Sequence, residues 1–360
     1  MKKKFNKYYK TFNLILITII ILGCNNSPTE PGTTENKMYV YSNSGKTFYL
    51  IDYKTFEVVK EIKLDVPDTV SIQGMISSTN RDYLFFKAIG SYPNPPFGFV
   101  LYNIKNDELE NLFFTELKYD GGYCISAQVN SEPGLVYVHF RDFGTYSIDL
   151  FAQKIKEFIS NEHGFDLDKR IFHSPNGLWT IVKKNWEATG YTELEFYTSS
   201  SKLHNLEFVL NKDNVDSLRI CDWAFSKDNR LFIVYLPGPI RDIPACFGGY
   251  NLETKQLFHT PLKFPWSLSG YYLAYNSNRN EVYAVGSNGQ FYIIDPDKYS
   301  IKDTISLSIG GEQSPIVITP EENLAFVAYP NSNSIYAIDL NERKLKKTIY
   351  VDEPYNMIIP

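Results

Sequence analysis

The sequence predicts an all-β chain in which one four-stranded unit is repeated around a ring, and three observations carry that expectation. Short runs rich in Val, Ile, Tyr and Phe alternate with clusters of Pro, Asn, Ser, Asp and Gly, the pattern of strands joined by tight hairpins. One strand type, ending in a small hydrogen-bonding residue, occurs seven times: FYLID at Asp52, FVLYN at Asn103, TYSID at Asp149, LEFYT at Thr198, FGGYN at Asn251, FYIID at Asp295 and IYAID at Asp339. The intervals are 51, 46, 49, 53, 44 and 44 residues, and side chains of this kind cap the turn that follows them. A polar hairpin turn between two apolar runs precedes six of these strands, at 77–81, 130–134, 174–177, 226–229, 276–280 and 319–323.

The N-terminus has a different grammar. Lysines at 2–4, 7 and 10 form a positive segment, and 12–22 (FNLILITIIIL) is an apolar run of signal-peptide length. It is shorter than the roughly 20 apolar residues a spanning helix needs. The run ends Ile21-Leu22-Gly23-Cys24, which resembles a bacterial lipobox. The resemblance implies that residues 1–23 are a lipoprotein signal peptide and that Cys24 is lipidated as the mature N-terminus. Residues 24–36 read as a flexible polar tether, and 37–360 as the repeat domain. Asn25 stands where some Gram-negative lipoproteins carry an inner-membrane retention Asp. The expectation is therefore the cell envelope, with the outer membrane or cell surface favoured and the periplasmic side open.

The seventh polar turn is missing because the repeat is cut at its ends. Lys37 opens directly on a second-type strand, MYVYS, and 355–359 has the first-strand pattern with no hairpin after it. The mean unit across 37–360 is about 46 residues, the length of a four-stranded propeller blade. A seven-bladed β-propeller follows, its last strand completing the first blade. The units YVYSNSGKTFYLIDYKTFEVVKEIKL (39–64) and LAFVAYPNSNSIYAIDLNERKLKKTIYV (324–351) resemble the YVTN-type propeller repeat of bacterial and archaeal surface proteins. The match is good in blades one, six and seven. Blades two, four and five depart from it through insertions in the second-to-third-strand turn. That family implies an architecture and carries no common catalytic motif.

Composition narrows the function. Net charge is −5, which gives no electrostatic basis for nucleic-acid binding. The 27 Tyr and 25 Phe against 4 Met suit pleated strands. No GxGxxG, GxxxxGK, HExxH or GxSxG occurs, and the five histidines have no metal-ligand spacing. His139 and His173 read as strand residues, and Cys124, Cys221 and Cys246 fall in strand-like runs without a CxxC pair. Asp166 and Asp168 read as part of the loop after blade three. No catalytic residue, metal or cofactor is assigned.

Loops on a rigid scaffold carry function, and the long ones here share one face. They hold Tyr92, His163, Trp186, Arg241, Asp242 and Trp266 as candidate ligand-binding residues. Aromatic and Arg side chains anchor interfaces and stack on sugars or peptides. Tyr92 and Trp266 equally suit the role of covering the blade core, and Arg241 with Asp242 suits a surface ion pair. The reading is a monomeric, lipid-anchored, non-catalytic scaffold that binds a protein, peptide or glycan. The alternative is an envelope hydrolase or lyase with a site at the propeller axis.

Overall fold

A computed structural model describes residues 36–42, 46–78, 80–90, 97–114, 124–129, 134–140, 144–160, 167–173, 179–186, 191–198, 206–210, 218–226, 228, 230–237, 245–254, 256–264, 271–307 and 310–360. For 124–129, 139, 236–237, 256–261 and all positions from 158 to 220 it describes the backbone alone.

The described strands form seven four-stranded antiparallel sheets. The first joins β1 (Lys37–Ser42), β2 (Thr47–Asp52) and β3 (Glu57–Lys63) to β28 (Pro354–Ile358) in the order β28-β1-β2-β3. The second is β4 (Val70–Ser77), β5 (Tyr83–Gly90), β6 (Phe97–Asn103) and β7 (Glu108–Phe114). The third is β8 (Cys124–Val129), β9 (Leu135–Phe140), β10 (Gly144–Asp149) and β11 (Lys154–Ser160). The fourth is β12 (Leu167–His173), β13 (Trp179–Trp186), β14 (Tyr191–Thr198) and β15 (Leu206–Leu210). The fifth is β16 (Leu218–Phe225), β17 (Arg230–Pro237), β18 (Cys246–Asn251) and β19 (Gln256–Lys263). The sixth is β20 (Tyr271–Asn276), β21 (Glu281–Gly286), β22 (Gln290–Asp295) and β23 (Ser300–Ser306). The seventh is β24 (Val317–Ile318), β25 (Leu324–Tyr329), β26 (Ser334–Asp339) and β27 (Lys344–Tyr350).

All seven third-type strands end where the sequence places them, and His139 and His173 lie in β9 and β12. Asp168 also lies in β12, paired with Asn185, so the expected loop after the third sheet is shorter than read.

The sheets pack face to face through the flat apolar sides of their strands. Phe48, Phe86 and Tyr102 interlock between the first and second sheets, and Phe97, Phe99 and Phe140 between the second and third. First strands of successive sheets touch: β28 lies against β4, β4 against β8, β8 against β12, β16 against β20 and β20 against β24. β14 lies against β16, and β25 against β28. The first and seventh sheets thus share a core, in which Met38, Val40 and Met357 meet Phe326, Ala328 and Ile335.

The turn after each third strand is built the same way. Asp52 Oδ1 accepts the N–H groups of Lys54 and Thr55 at 2.9 and 3.1 Å. Asn103, Asn251, Asp295 and Asp339 each accept two N–H groups at the same offsets, and Asp149 accepts that of Ala152. Four positions after the capping residue the chain turns left-handed, at Phe56, Asp107, Gln153, Tyr299 and Arg343, with φ between 50° and 62°. None of these is glycine, so each turn carries a backbone cost that its cap offsets.

The fourth strand then bulges. Val59, Lys156, Lys302 and Lys346 are left unpaired between ladder partners in their sheets. A bulge blunts an exposed edge strand. Two of these lysines also reach back to the cap, Lys346 to Asp339 at 2.9 Å and Lys156 to Asp149 at 3.4 Å. In the first sheet Val59 takes the bulge, and Lys37 supplies the cation to Asp52 at 3.4 Å. Burial pushes the carboxyls of Asp52, Asp295 and Asp339 upward, but the N–H caps and nearby lysines outweigh it and leave all three below the ordinary range.

A carboxylate held low stabilises the fold above the ordinary carboxylate range and loses that contribution as the pH falls through its own lowered value. Asp339→Ala removes both caps and the Lys346 pair, and should cost about 1–2 kcal/mol in chemical denaturation at neutral pH. Asp339→Asn keeps the cap, as Asn103 and Asn251 do, and should cost less while removing part of the acid sensitivity. Equal losses in the two variants would show that the turn does not depend on the cap.

Candidate functional site

In an antiparallel four-stranded sheet the first-to-second and third-to-fourth turns share one edge. The second-to-third turns and the connections to the next sheet share the other. Tyr92 falls between β5 and β6, His163 between β11 and β12, Arg241 and Asp242 between β17 and β18, and Trp266 between β19 and β20. These four connections leave from the second edge, but the residues themselves lie outside the described ones, as do Cys24 and the tether up to residue 35. Trp186 is described through its backbone, which ends β13 and pairs with Leu167 and Tyr191.

That pairing corrects the expected insertion in the fourth sheet. Asn185 and Trp186 continue β13, and Tyr191 and Thr192 open β14, so the connection is only 187–190. The long strands absorb residues that read as a loop. The elaborated turns are 91–96 in the second sheet and 238–245 in the fifth. The sixth sheet turns in 287–289, where Gly289 has φ 71°, and the seventh in 330–333, where Asn333 has φ 51°. Gly310 passes so close to Ser287 that a Cβ would lie 2.4 Å from its carbonyl oxygen.

Just inside this edge the inner strands change character. β28, β4, β8 and β16 each bulge, leaving Tyr355, the Gln73–Gly74 pair, Ile125 and Cys221 without a ladder partner. Every bulge lies beside the fifth or sixth residue of the neighbouring second strand, so the four share one level. Gly74, at φ 96°, has no atom within 4 Å of where a Cβ would stand. Lys87, opposite that bulge, is only 8% exposed. Asp222 Oδ2 accepts the backbone N–H of Leu273 in the next inner strand at 2.7 Å. Asn356 Oδ1 is buried with no hydrogen-bond partner. Beside it the Tyr41 hydroxyl donates to the Ile72 carbonyl at 3.2 Å.

Sequence reasoning missed Lys87, Asp222 and Asn356. The visible signal was a lysine inside the apolar run YLFFKAIG and an asparagine inside PYNMI. Cys221 and Cys246 form no disulfide, and burial pushes the Cys246 thiol up despite Lys263 nearby.

The opposite edge is knitted from sheet to sheet. Arg230 reaches Asp297 at 2.6 Å and lies over the Phe232 ring, joining the fifth and sixth sheets. Buried Glu281 accepts from Lys302 at 2.8 Å and from Arg343 of the seventh sheet at 3.1 Å. Between the seventh and first sheets the tie is the exposed pair Lys54 and Glu321, 3.9 Å apart. There a cavity of about 380 Å³ opens among Asn36, Lys37, Tyr53, Lys54, Glu321 and Ile359, so both ends of the described chain emerge on this face. Among the described residues no group of three His, Cys, Asp or Glu side chains could hold a metal ion. No described helix is long and apolar enough to cross a membrane.

No family model and no curated protein matches this chain. Solved structures do. Hydrazine synthase from Kuenenia stuttgartiensis aligns with a TM-score of 0.64 at 12% identity, over 84% of this chain and 92% of that one. Dihydro-heme d1 dehydrogenase NirN aligns with a TM-score of 0.58 at 11% identity, over 93% and 78%. Apo AztD from Citrobacter koseri aligns with a TM-score of 0.53 at 12% identity, over 89% and 96%. At such identities the likeness shows the fold alone, which is of the β-propeller type.

Burial also sets an alkaline limit. It pushes the phenols of Tyr39, Tyr41 and Tyr235 up to about 12, helped respectively by Asp107, Tyr355 and Cys246, and raises Tyr102, Tyr271, Tyr283 and Tyr329 as well. Stability from a raised phenol is complete below its ordinary value of about 10 and disappears as the pH climbs through the raised one. Tyrosinate absorbance should therefore rise together with loss of the circular-dichroism signal, between pH 10 and about 12. Full tyrosine titration near pH 10 with the fold intact would contradict the burial of these rings.

Proposed function

We propose that this chain is a lipid-anchored, seven-bladed propeller of the YVTN type, displayed on the cell envelope, whose loop-rich face binds a protein, peptide or glycan. Each sheet is a blade, and β28 closes the ring by completing the first. In support, β28 pairs with β1 and touches both β4 and β25, while the first and seventh sheets share a core. The repeat in 39–64 and 324–351 carries the likeness to the YVTN type.

One observation carries the functional reading. Asn36 lies on the edge opposite the elaborated connections, so a tether from Cys24 reaches the disc on its tightly knitted face. The loop-rich face, with Tyr92, His163, Trp186, Arg241, Asp242 and Trp266, is then directed away from the membrane, toward a partner. Lipid on Cys24 holds the device in place, since each buried CH₂ contributes about 0.8 kcal/mol.

Two experiments test this. In a Gram-negative host, wild-type chain should incorporate labelled acyl chains and sediment with membranes, and Cys24→Ser should do neither. Envelope peptides and glycans retained by the full chain should be lost with a Trp186→Ala/Trp266→Ala variant and kept with Lys54→Ala on the other face. Equal retention by both variants would remove the loop face from binding. Ring closure is tested apart: deletion of 355–360 should lower the unfolding temperature of the whole domain, and an unchanged temperature would leave the ring open.

A further inference from the structure

We propose that the cavity between the first and seventh sheets takes the zwitterionic headgroup of a membrane lipid, a phosphoethanolamine, and gives the disc a second contact with the membrane. This rests on the lipid-anchored reading above, which turns the tether face toward the bilayer, and deepens it by naming the lipid chemistry that this face takes.

The cavity stands where the repeat lacks a part. In the other sheets a short turn joins the first strand to the second, and several of these turns are pinned by a hydroxyl. Ser78 Oγ accepts the Tyr83 N–H at 3.0 Å, Ser226 Oγ that of Arg230 at 2.8 Å and Thr319 Oγ1 that of Leu324 at 3.3 Å. Such turns also meet from sheet to sheet: Asn276 Nδ2 donates to the Glu322 carbonyl at 2.9 Å, joining the sixth to the seventh. In the first sheet the corresponding strands are β28 and β1, from opposite ends of the described chain, so no turn joins them. The turn of the seventh sheet therefore has no counterpart to meet in the first. About 380 Å³ is left open there, a volume within the range of small-ligand sites.

The lining combines apolar surface with one charge of each sign. Tyr53, Pro320 and Ile359 supply apolar wall. Lys54 and Glu321 supply the charges, 3.9 Å apart and 60% and 44% exposed, while Lys37 is already paired with Asp52 at 3.4 Å. The Lys54–Glu321 pair is loose beside the joint of the sixth and seventh sheets, where buried Glu281 holds Lys302 at 2.8 Å and Arg343 at 3.1 Å. An exposed pair of this kind contributes little to stability, so a ligand that brings both charges replaces it at small cost. A phosphate beside an ammonium does this, with the phosphate on Lys54, the ammonium on Glu321 and the glycerol carbons on the apolar wall. A lone anion would meet Lys54 but be repelled by Glu321, and a lone cation the reverse. The contact need only be weak, because the anchor on the same chain raises the effective concentration of lipid to the millimolar range.

The test titrates the full chain, in a maltoside detergent, with glycerophosphoethanolamine, glycerol phosphate and ethanolamine, and reads binding by calorimetry. Glycerophosphoethanolamine should bind saturably, and about tenfold more tightly than either half alone. Dihexanoyl phosphatidylethanolamine should bind more tightly still, since its acyl methylenes add apolar burial. No gain over the soluble headgroup would overturn the lipid as the occupant. Lys54→Ala and Glu321→Gln should each weaken binding by about tenfold, the loss expected of one charged hydrogen bond. The exchanged pair Lys54→Glu/Glu321→Lys should recover it, which a merely structural role would not predict. Absence of saturable binding, equal binding of glycerol phosphate, or binding indifferent to both single variants would overturn the site. Acyl labelling and capture by the loop face are measured separately, so failure of this site is distinct from failure of the anchored scaffold.

Discussion

The ladder between β1 and β28 is the constraint on which the rest of the molecule depends. It pairs Tyr39 with Ile358 and Tyr41 with Asn356, joining the two ends of the described chain in one sheet. Three strands of the first sheet come from the N-terminal side and one from the C-terminal side. The first sheet is therefore incomplete until the last residues are in place, whereas the other six are each built from four consecutive strands. The same ladder puts Met357 into the core shared with the seventh sheet and Ile358 against that shared with the second. Pairing of such high sequence separation is slow to form, because loop closure is paid for before the contacts repay it.

Between those ends the sheets share a backbone plan but solve it with different side chains, which explains what the sequence made legible. The turn cap must be Asp, Asn or a close equivalent, since only a short acceptor reaches two N–H groups at once. That restriction left a readable mark at 52, 103, 149, 251, 295 and 339, and each of these caps forms. Joints between sheets face no such restriction. Arg230 with Asp297, Glu281 with Arg343, and the Tyr83 and Phe151 rings do one job with three chemistries. Their partners lie a whole unit apart, so nothing in the local pattern announces them.

The candidate site was legible in a different measure. Which connections share a face follows from antiparallel order alone, and the strand ends agree with it. Local pattern misled at 185–191, where polar and glycine-bearing residues continue two long strands instead of a loop. The polar level was hidden for a sharper reason. A bulge adds one residue to the inner strand and reverses which side chain faces the neighbouring sheet. The alternation of VSIQGMIS therefore cannot be read through Gly74 without the register. The register positions of Lys87, Asp222 and Asn356 could be assigned only once the pairing fixed each phase.

Polar groups at that level cost stability, because the equivalent positions in the sixth and seventh sheets are filled by Val285 and Ala328, both fully buried. Exchanging such a side chain for lysine forfeits apolar burial and adds the desolvation of a charge. The second and fifth sheets, which carry the longest second-to-third-strand connections, also hold Lys87 and Asp222 at the level beneath them. The compact sixth and seventh sheets spend the same positions on packing, and their joint holds the buried Glu281 cluster. Connection length does not by itself decide which residue stands there, since the third and fourth sheets have His139 and Lys183 at the same register position beneath short connections, and the fifth has buried Val234.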